Sequence, residues 1–194
     1  MAKKYTRRAE DSGWLSVKLT KTGQLTALCE YTAVETLREE GGRTYFTILD
    51  GYINVGDEAS LKTPNAAKYL SNVGPTGAAT LDIGYVGVPT DEVSKYKGKL
   101  KQQWADLTFN GTTARVTLNS VWGTGFTPLA AGSHAIMAPD YSHAAISTAG
   151  YVADTPGMIG NDVWFPIGLG GIMTNSSRYV HVGHLSDGCV TCYE

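Results

Sequence analysis

The alternation of hydrophobic and polar residues along the chain predicts mostly β-strands. Trp14–Leu19 alternates in the way a half-buried strand does, and Thr44–Leu49 is rich in β-branched and aromatic residues. Asn110-Gly111 stands inside the alternating segment Leu107–Leu118, which is the pattern of a hairpin with a two-residue turn. Short apolar stretches separated by glycine and proline follow it. The second half is therefore expected to be a small β-rich sheet or sandwich domain.

Three segments of the first half show helical patterns instead. Glu30–Glu40 precedes a Gly-Gly pair, and Ala66–Val73 fits one or two helical turns. Thr90 resembles a helix start because apolar residues follow it at helical spacing, namely Val93, Tyr96, Leu100 and Trp104. We therefore expect a mixed α+β N-terminal region ahead of the mainly β part.

Composition adds a boundary and excludes several classes of protein. The 194 residues are 42% hydrophobic, which excludes a disordered chain, and the net charge of −2 gives no reason to expect nucleic acid as a partner. Charge is unevenly spread, since 14 of the 16 basic and 12 of the 18 acidic residues lie in 1–101. That step predicts an N-terminal region over 1–101 and a second domain over 102–194.

The chain shows no segment that would direct it into or across a membrane. It has no apolar run of about 18 residues, so no membrane insertion is expected. The basic N-terminal flank is not followed by an apolar stretch, so it does not resemble a secretory signal. We therefore expect synthesis in the cytoplasm without a recognisable signal peptide. The protein then stays in the cytosol, leaves by a route that needs no cleaved signal, or has lost a leader, and the sequence leaves these three alternatives open.

The C-terminal segment concentrates the residues that carry chemistry. His181, His184, Cys189 and Cys192 fall within twelve residues. Cys189 could act as a nucleophile with His181 as its proton acceptor and Gly188 as an oxyanion donor, while Ser186 orients the turn. All four His and Cys side chains could instead bind zinc, although their spacing fits no familiar motif. A redox pair of Cys189 and Cys192, or a buried structural cysteine, are the remaining alternatives.

Two strings of this half resemble the catalytic domain of the L,D-transpeptidase family. VHVG followed by SDGCV (residues 180–183 and 186–190) is similar to the family's I/V-H-x-G and S-x-G-C-I/V signature. Thr127–Ile136 is similar to an earlier strand of the family, T-P-x-G-x-Y-x-I, with two extra residues before the glycine. The resemblance covers about residues 105–194, and residues 1–100 resemble no family.

The resemblance assigns roles position by position. It implies that Cys189 is the nucleophile, His181 its imidazole partner, and Gly188 with Cys189 the oxyanion donors, with Ser186 at the family's Ser/Thr position. The chain departs from the family in three ways: Asp187 replaces a histidine, Thr191 replaces an arginine, and only seven residues separate His181 from Cys189. This short spacing is similar to that of divergent toxin-like and phage-associated members.

Four further residues are candidates for substrate binding. His184 rivals His181 as the base because it is closer to Cys189 along the chain, and Asp187 lies in the same turn. His134 and Trp164 are candidate walls of the substrate cleft, although packing in the core or at the surface explains such residues equally well.

The activity implied by the resemblance is cleavage or exchange of the terminal D-amino acid of peptidoglycan stem peptides through a thioacyl-enzyme. No cofactor is implied. A cell-wall substrate without a signal segment leads to the hypothesis of an exported antibacterial effector or a phage protein acting at the cell wall or periplasm, with an immunity or carrier protein as partner. The alternative is a non-enzymatic β-rich binding or structural module that holds zinc at its C-terminal His/Cys cluster.

Overall fold

The computed structural model confirms the mainly β class. It describes residues 1–9, 13–51, 53–94, 98–120, 122, 128–139, 141–143, 151, 155, 158, 160–168, 178–183 and 185–192. The described residues form fifteen strands and one short helix. Among the described residues, no helix is long and apolar enough to cross a membrane.

Contacts divide the chain into two compact units. The first comprises Met1–Thr76 with Met137–Ser142, and the second comprises Gly77–Ile136 with His143–Glu194. The step in charge at residue 101 lies inside a continuous strand, Gly98–Phe109, whereas the contacts divide between Thr76 and Gly77. Charged residues lie where the chain is exposed to solvent. A change in their number along the sequence therefore need not coincide with the boundary between two cores.

The first unit is built on a seven-stranded antiparallel sheet in the order β3-β2-β6-β5-β4-β1-β7. Its elements are β1 (Ala2–Thr6), β2 (Leu15–Leu19), β3 (Leu25–Leu28), β4 (Ala33–Glu40), β5 (Arg43–Ile48), β6 (Glu58–Lys62), α1 (Thr63–Tyr69) and β7 (Leu70–Ser71). Alternate residues of these strands face one core, which includes Val17, Val34 and Phe46.

The second unit is built on a sheet in the order β12-β13-β14-β15-β11-β10-β8, with β9 paired to β10. Its strands are β8 (Asp82–Tyr85), β9 (Thr90–Ser94), β10 (Gly98–Phe109), β11 (Thr112–Asn119), β12 (Ala135–Ile136), β13 (Phe165–Gly168), β14 (Tyr179–Val182) and β15 (Val190–Cys192). β14 and β15 pair in parallel, and the other pairs are antiparallel. Leu118, Val180 and Val190 belong to its core.

The hairpin predicted from Asn110-Gly111 is confirmed. β10 and β11 pair over seven residue pairs, and Asn110 and Gly111 both have positive φ angles, 48° and 77°. A two-residue turn with both angles positive matches the right-handed twist of the paired strands, and this conformation favours Asn-Gly.

Two of the predicted helices are wrong. Residues 33–40 form β4, because Ala33 and Val34 are buried in a strand hydrogen-bonded on both sides, to β1 and β5. Residues 90–94 and 98–109 form β9 and β10, an antiparallel pair in which Gly98, whose φ is 73°, pairs with Ser94. The third helix exists, but it begins at Thr63 and ends at Tyr69. Cross-strand pairing outweighed local helical spacing at both sites.

Candidate functional site around Cys189 and His181

The parallel pairing of β14 with β15 positions the C-terminal cluster. Val180 pairs with Val190, and His181 pairs with Thr191. Val180 and Val190 face the core of the second unit. Because consecutive residues of a strand face opposite sides, His181 and Thr191 share the other face of the sheet.

Both ring nitrogens of His181 are engaged in hydrogen bonds. Nδ1 lies 2.9 Å from the carbonyl oxygen of Val182, and Nε2 lies 3.1 Å from the hydroxyl oxygen of Thr191. A carbonyl oxygen can only accept, so Nδ1 carries the proton and Nε2 of the neutral ring accepts from Thr191. Burial lowers the pKa of His181 from 6.5 to about 4, so the ring is neutral at pH 7.

A cluster of four rings covers this face of the sheet, and we call His143, Trp164, Tyr179 and His181 the ring cluster. Trp164 stacks on His181 with centroids 4.0 Å apart and on His143 with centroids 4.5 Å apart. Tyr179 meets the rings of His143 and Trp164 edge-on. Burial also lowers the pKa of His143, while the charge of Asp162 opposes that shift. Trp164, a predicted substrate-binding residue, is therefore brought together with His181.

The turn that carries Cys189 is held by Ser186. The Ser186 hydroxyl donates to the carbonyl of Cys189 over 2.7 Å and accepts from the N–H of Gly188 over 3.2 Å. Gly188 has a φ of 96°, which an L side chain rarely adopts. The Ser186 hydroxyl thus bridges the two sides of the turn, and its role in catalysis stays a prediction. The Gly188 N–H, predicted to be an oxyanion donor, is already bound within the protein.

A buried polar network anchors this turn to the rest of the sheet. The Ser186 N–H donates to the hydroxyl of Ser120 over 2.9 Å, and the Ser120 N–H donates to the Ser186 carbonyl over 2.7 Å. The hydroxyls of Ser120 and Thr117 both donate to Oε1 of Gln102, which is fully buried. The turn before Cys189 is thus tied to β10 and to the end of β11.

The thiol of Cys189 is not activated in this arrangement. Burial raises its pKa above the usual range, and the charge of Asp187 acts in the same direction. A hydrogen bond from the backbone of Tyr179 and the charge of Arg178 oppose the shift. No hydrogen bond among the described residues joins Cys189 to His181. The thiol is therefore protonated at neutral pH and lacks the lowered pKa of a preformed thiolate.

The alternative zinc ligands do not converge as far as the structure describes them. Cys192 packs against the core of the second unit, on the face of Val182, while His181 lies on the opposite face. No three His, Cys, Asp or Glu side chains gather into a metal-binding group within the described ranges. His184 lies outside those ranges. All three cysteines are thiols, and the burial of Cys192 raises its pKa as well.

Two further predicted residues, Asp187 and His134, belong to the described part of the chain. Asp187 is exposed in the turn before Cys189. His134 lies beside a separate cavity lined by Val180, and its Nε2 donates to the carbonyl of Ala130 over 2.8 Å. Because Val180 and His181 face opposite sides of the sheet, His134 does not contribute to the face that carries His181.

Three residues of the site had no specific role predicted from the sequence. His143 could line a cleft from a neighbouring strand or lie at the surface, but nothing in its spacing indicated that it would stack on Trp164. Thr191 was noted only as a departure from a motif, although its parallel pairing with His181 makes it the partner of Nε2. Gln102 gave no usable signal, because its segment was predicted to be helical and its full burial is known only from the structure.

Comparison with family models, with curated proteins and with solved structures gives no match. The likeness to L,D-transpeptidases therefore rests on the two sequence motifs alone.

Proposed function

We propose that the chain is a cysteine-dependent acyl-transfer enzyme of the L,D-transpeptidase or L,D-carboxypeptidase type. The observation that supports this most is the parallel pairing of β14 with β15. In that register Cys189 is the residue before β15. A hydrogen bond from the backbone of Tyr179, the first residue of β14, reaches its thiol, and His181 follows two residues further along β14.

His181 is the proton acceptor in this proposal. The orientation of the Thr191 hydroxyl determines whether the lone pair on Nε2 is available. The hydroxyl hydrogen of Thr191 has a second acceptor, the carbonyl of Leu185, 3.3 Å away. When that hydrogen turns from Nε2 to Leu185, the lone pair of the neutral ring becomes free to accept the proton of Cys189. The raised pKa of the thiol means that this transfer accompanies substrate binding and does not precede it.

The chemistry then follows in balanced steps. The thiolate attacks the carbonyl carbon that precedes the terminal D-amino acid, and the carbon–nitrogen bond breaks. The imidazolium returns its proton to the leaving amine, which leaves a thioester on Cys189. Water or an acceptor amine next attacks the thioester and releases the thiol. Trp164 stacks on His181, and its Nε1–H meets no acceptor among the described residues, so it could donate to a substrate carbonyl if binding exposes it.

The setting of this reaction follows from the substrate class alone. Peptidoglycan stem peptides as substrate imply action at the cell wall or periplasm. The proposal extends to an exported antibacterial effector or a phage protein, with an immunity or carrier protein as partner.

A second candidate function is a non-enzymatic β-rich binding or structural module. The internal hydrogen bonds favour it, since both nitrogens of His181 and the N–H of Gly188 are engaged within the protein. Polar groups that satisfy one another are the usual arrangement in a structural site. The two candidates make opposite predictions for a substrate assay.

The test uses purified disaccharide-tetrapeptide with and without an added D-amino acid, so that hydrolysis and exchange are both detected by mass. Wild type and the matched Cys192→Ala variant are expected to release D-alanine, and Cys189→Ala is expected to release none. Intact-protein mass spectrometry should detect the thioester on Cys189. Absence of product and of thioester in the wild type would overturn the enzyme proposal and leave the binding module.

A second variant separates the base from the nucleophile. His181→Gln keeps a polar side chain but has no titratable nitrogen, and it should lower kcat by about 10²- to 10⁴-fold. Hydroxide can replace the missing base, so the residual activity should rise more steeply with pH than that of the wild type. Unchanged kcat would show that His181 is not the base.

A further inference from the structure

A cavity of about 610 Å³ lies on the other face of the second unit's sheet, away from His181. Leu118 of β11, Ile167 of β13 and Val180 of β14 form its apolar floor. Its volume falls within the range of about 300–1,000 Å³ that is usual for ligand sites.

The two terminal strands of the sheet flank this cavity. Asp82 and Ile83 of β8 line it on one side, and Ala135 and Ile136 of β12 line it on the other. Since β8 and β12 are the first and last strands of the sheet order, the sheet curls until both of its edges border one opening.

Each of these strands has one unpaired side within the described part of the chain. β8 pairs with β10 alone, and β12 pairs with β13 alone. The N–H and C=O groups of an unpaired edge are ready to pair with another extended segment. A side-chain bond also ties the two walls together at one end, where the Tyr85 hydroxyl donates to the carbonyl of Leu129 over 3.2 Å. This bond keeps the opening preformed, which lowers the cost of binding.

The charge of the cavity lining indicates which ligand would complement it. Asp82 is the one carboxylate among the described lining residues, and it is exposed. A basic side chain beside it would complement that charge, while alternate apolar side chains would cover Leu118, Ile167 and Val180.

We propose that this cavity binds an extended peptide segment of a partner protein, with alternate apolar residues and at least one Lys or Arg. The segment lies between β8 and β12 as an added strand. The proposal does not depend on Cys189, because neither Cys189 nor His181 lines the cavity.

The test uses a fluorescein-labelled synthetic peptide, Thr-Val-Lys-Val-Thr-Val-Lys, followed by fluorescence anisotropy with the full chain. Saturable binding is expected. A version that is N-methylated at alternate residues keeps the side chains but loses the backbone N–H donors along one edge of the strand. Its affinity should fall about tenfold or more. No saturable binding of the parent peptide, or equal binding of the N-methylated peptide, would overturn the proposal.

Two matched protein variants locate the site. Ala131→Trp fills the cavity from an exposed lining position, and Ala67→Trp makes the same change at an exposed position of α1 in the first unit. Ala131→Trp should lower the affinity about tenfold or more, a loss of about 1.4 kcal/mol, and Ala67→Trp should leave it unchanged. Equal affinity of the two variants would contradict the assignment. Circular dichroism checks that both variants fold.

A charge variant tests the selectivity. Asp82→Asn should lower the affinity for the lysine peptide by about two- to fivefold. A peptide with Thr in place of Lys should bind the wild type and the Asp82→Asn variant with equal affinity. The D-alanine assay applied to Ala131→Trp should give wild-type rates, so failure of this proposal is distinguishable from failure of the enzyme proposal.

Discussion

His181 is held by two hydrogen bonds that decide both its tautomer and its charge. The proton lies on Nδ1 because the Val182 carbonyl can only accept, and the Thr191 hydroxyl then donates to Nε2. The resting ring therefore has no free lone pair, and any role as a base requires Thr191 to turn away. The sequence motif locates His181, but whether its ring can accept a proton depends on the groups that its two nitrogens bind.

The titration of His181 should destabilise the fold in acid. Its pKa is lowered from 6.5 to about 4, so the unfolded chain takes up the proton first as the pH falls. Stability should decline from about pH 6.5 to about pH 4, by about 3 kcal/mol for this group alone. Nitrogen-15 NMR can follow the ring directly and should detect the Nδ1–H tautomer at pH 7. An Nε2–H tautomer, or a midpoint near 6.5, would contradict the hydrogen-bond assignment.

Cys189 should react slowly with alkylating reagents at neutral pH. Burial raises its pKa, and only the thiolate is a nucleophile. The rate of iodoacetamide labelling at Cys189, resolved from Cys29 and Cys192 by peptide mass spectrometry, should reach its midpoint at a higher pH in the folded protein than in the same protein unfolded in urea. A lower midpoint in the folded protein would mean that the thiol is activated at rest and would contradict this prediction.

The β10–β11 hairpin depends on its turn. Gly111 has a φ of 77°, and a Cβ added there would meet no atom within 4 Å, so the cost of a side chain is conformational only. Gly111→Ala should therefore lower the free energy of unfolding by about 1 kcal/mol or more. Denaturant unfolding measures the change.

Gly84 provides the matched control for this substitution. Its added Cβ would also meet nothing within 4 Å, but its φ is not in the left-handed region. Gly84→Ala should be neutral or stabilise by up to about 1 kcal/mol, because alanine restricts the unfolded chain more than glycine does. Equal losses in the two variants would show that the turn conformation is not the cause.

β14 and β15 are the elements on which the candidate site depends. Their parallel pairing brings His181 next to Thr191 and carries Cys189 to the start of β14. The same pairing sends Cys192 to the core face of the sheet, while His181 lies on the opposite face. This register therefore disfavours a zinc site that needs both side chains.

The two units have separate cores, and their local stabilities should respond separately to mutation. Val34 of β4 and Val116 of β11 are both fully buried, each in the core of its own unit. Replacing either valine by alanine should destabilise its unit by about 2 kcal/mol through lost contacts and a residual cavity.

Hydrogen exchange with mass spectrometry distinguishes the two responses. Val34→Ala should speed exchange in peptides from residues 1–76 and leave those from 77–120 unchanged, whereas Val116→Ala should do the reverse. Equal acceleration in both ranges for either variant would mean that the two units unfold together.

The amino-acid sequence by itself determined the class of the fold and its local turns. Alternation fixes which side of a strand is apolar, and Asn110-Gly111 determines a hairpin because few other residues accept two positive φ angles. Local patterns also identified Ser186 as the residue that orients the turn at Gly188 and Cys189. They failed over residues 33–40, 90–94 and 98–104, where helical spacing was overridden by hydrogen bonds to neighbouring strands.

The tertiary structure alone decided the environment of the candidate residues. His143 and Trp164 stack, and Thr191 meets His181, through contacts that sequence spacing does not encode. Burial then lowers the pKa of His181 and raises that of Cys189, and both shifts depend on which strands cover them. The physical reason is range: hydrogen-bonded turns form between near neighbours, whereas strand pairing, desolvation and ring stacking join residues that are distant along the chain.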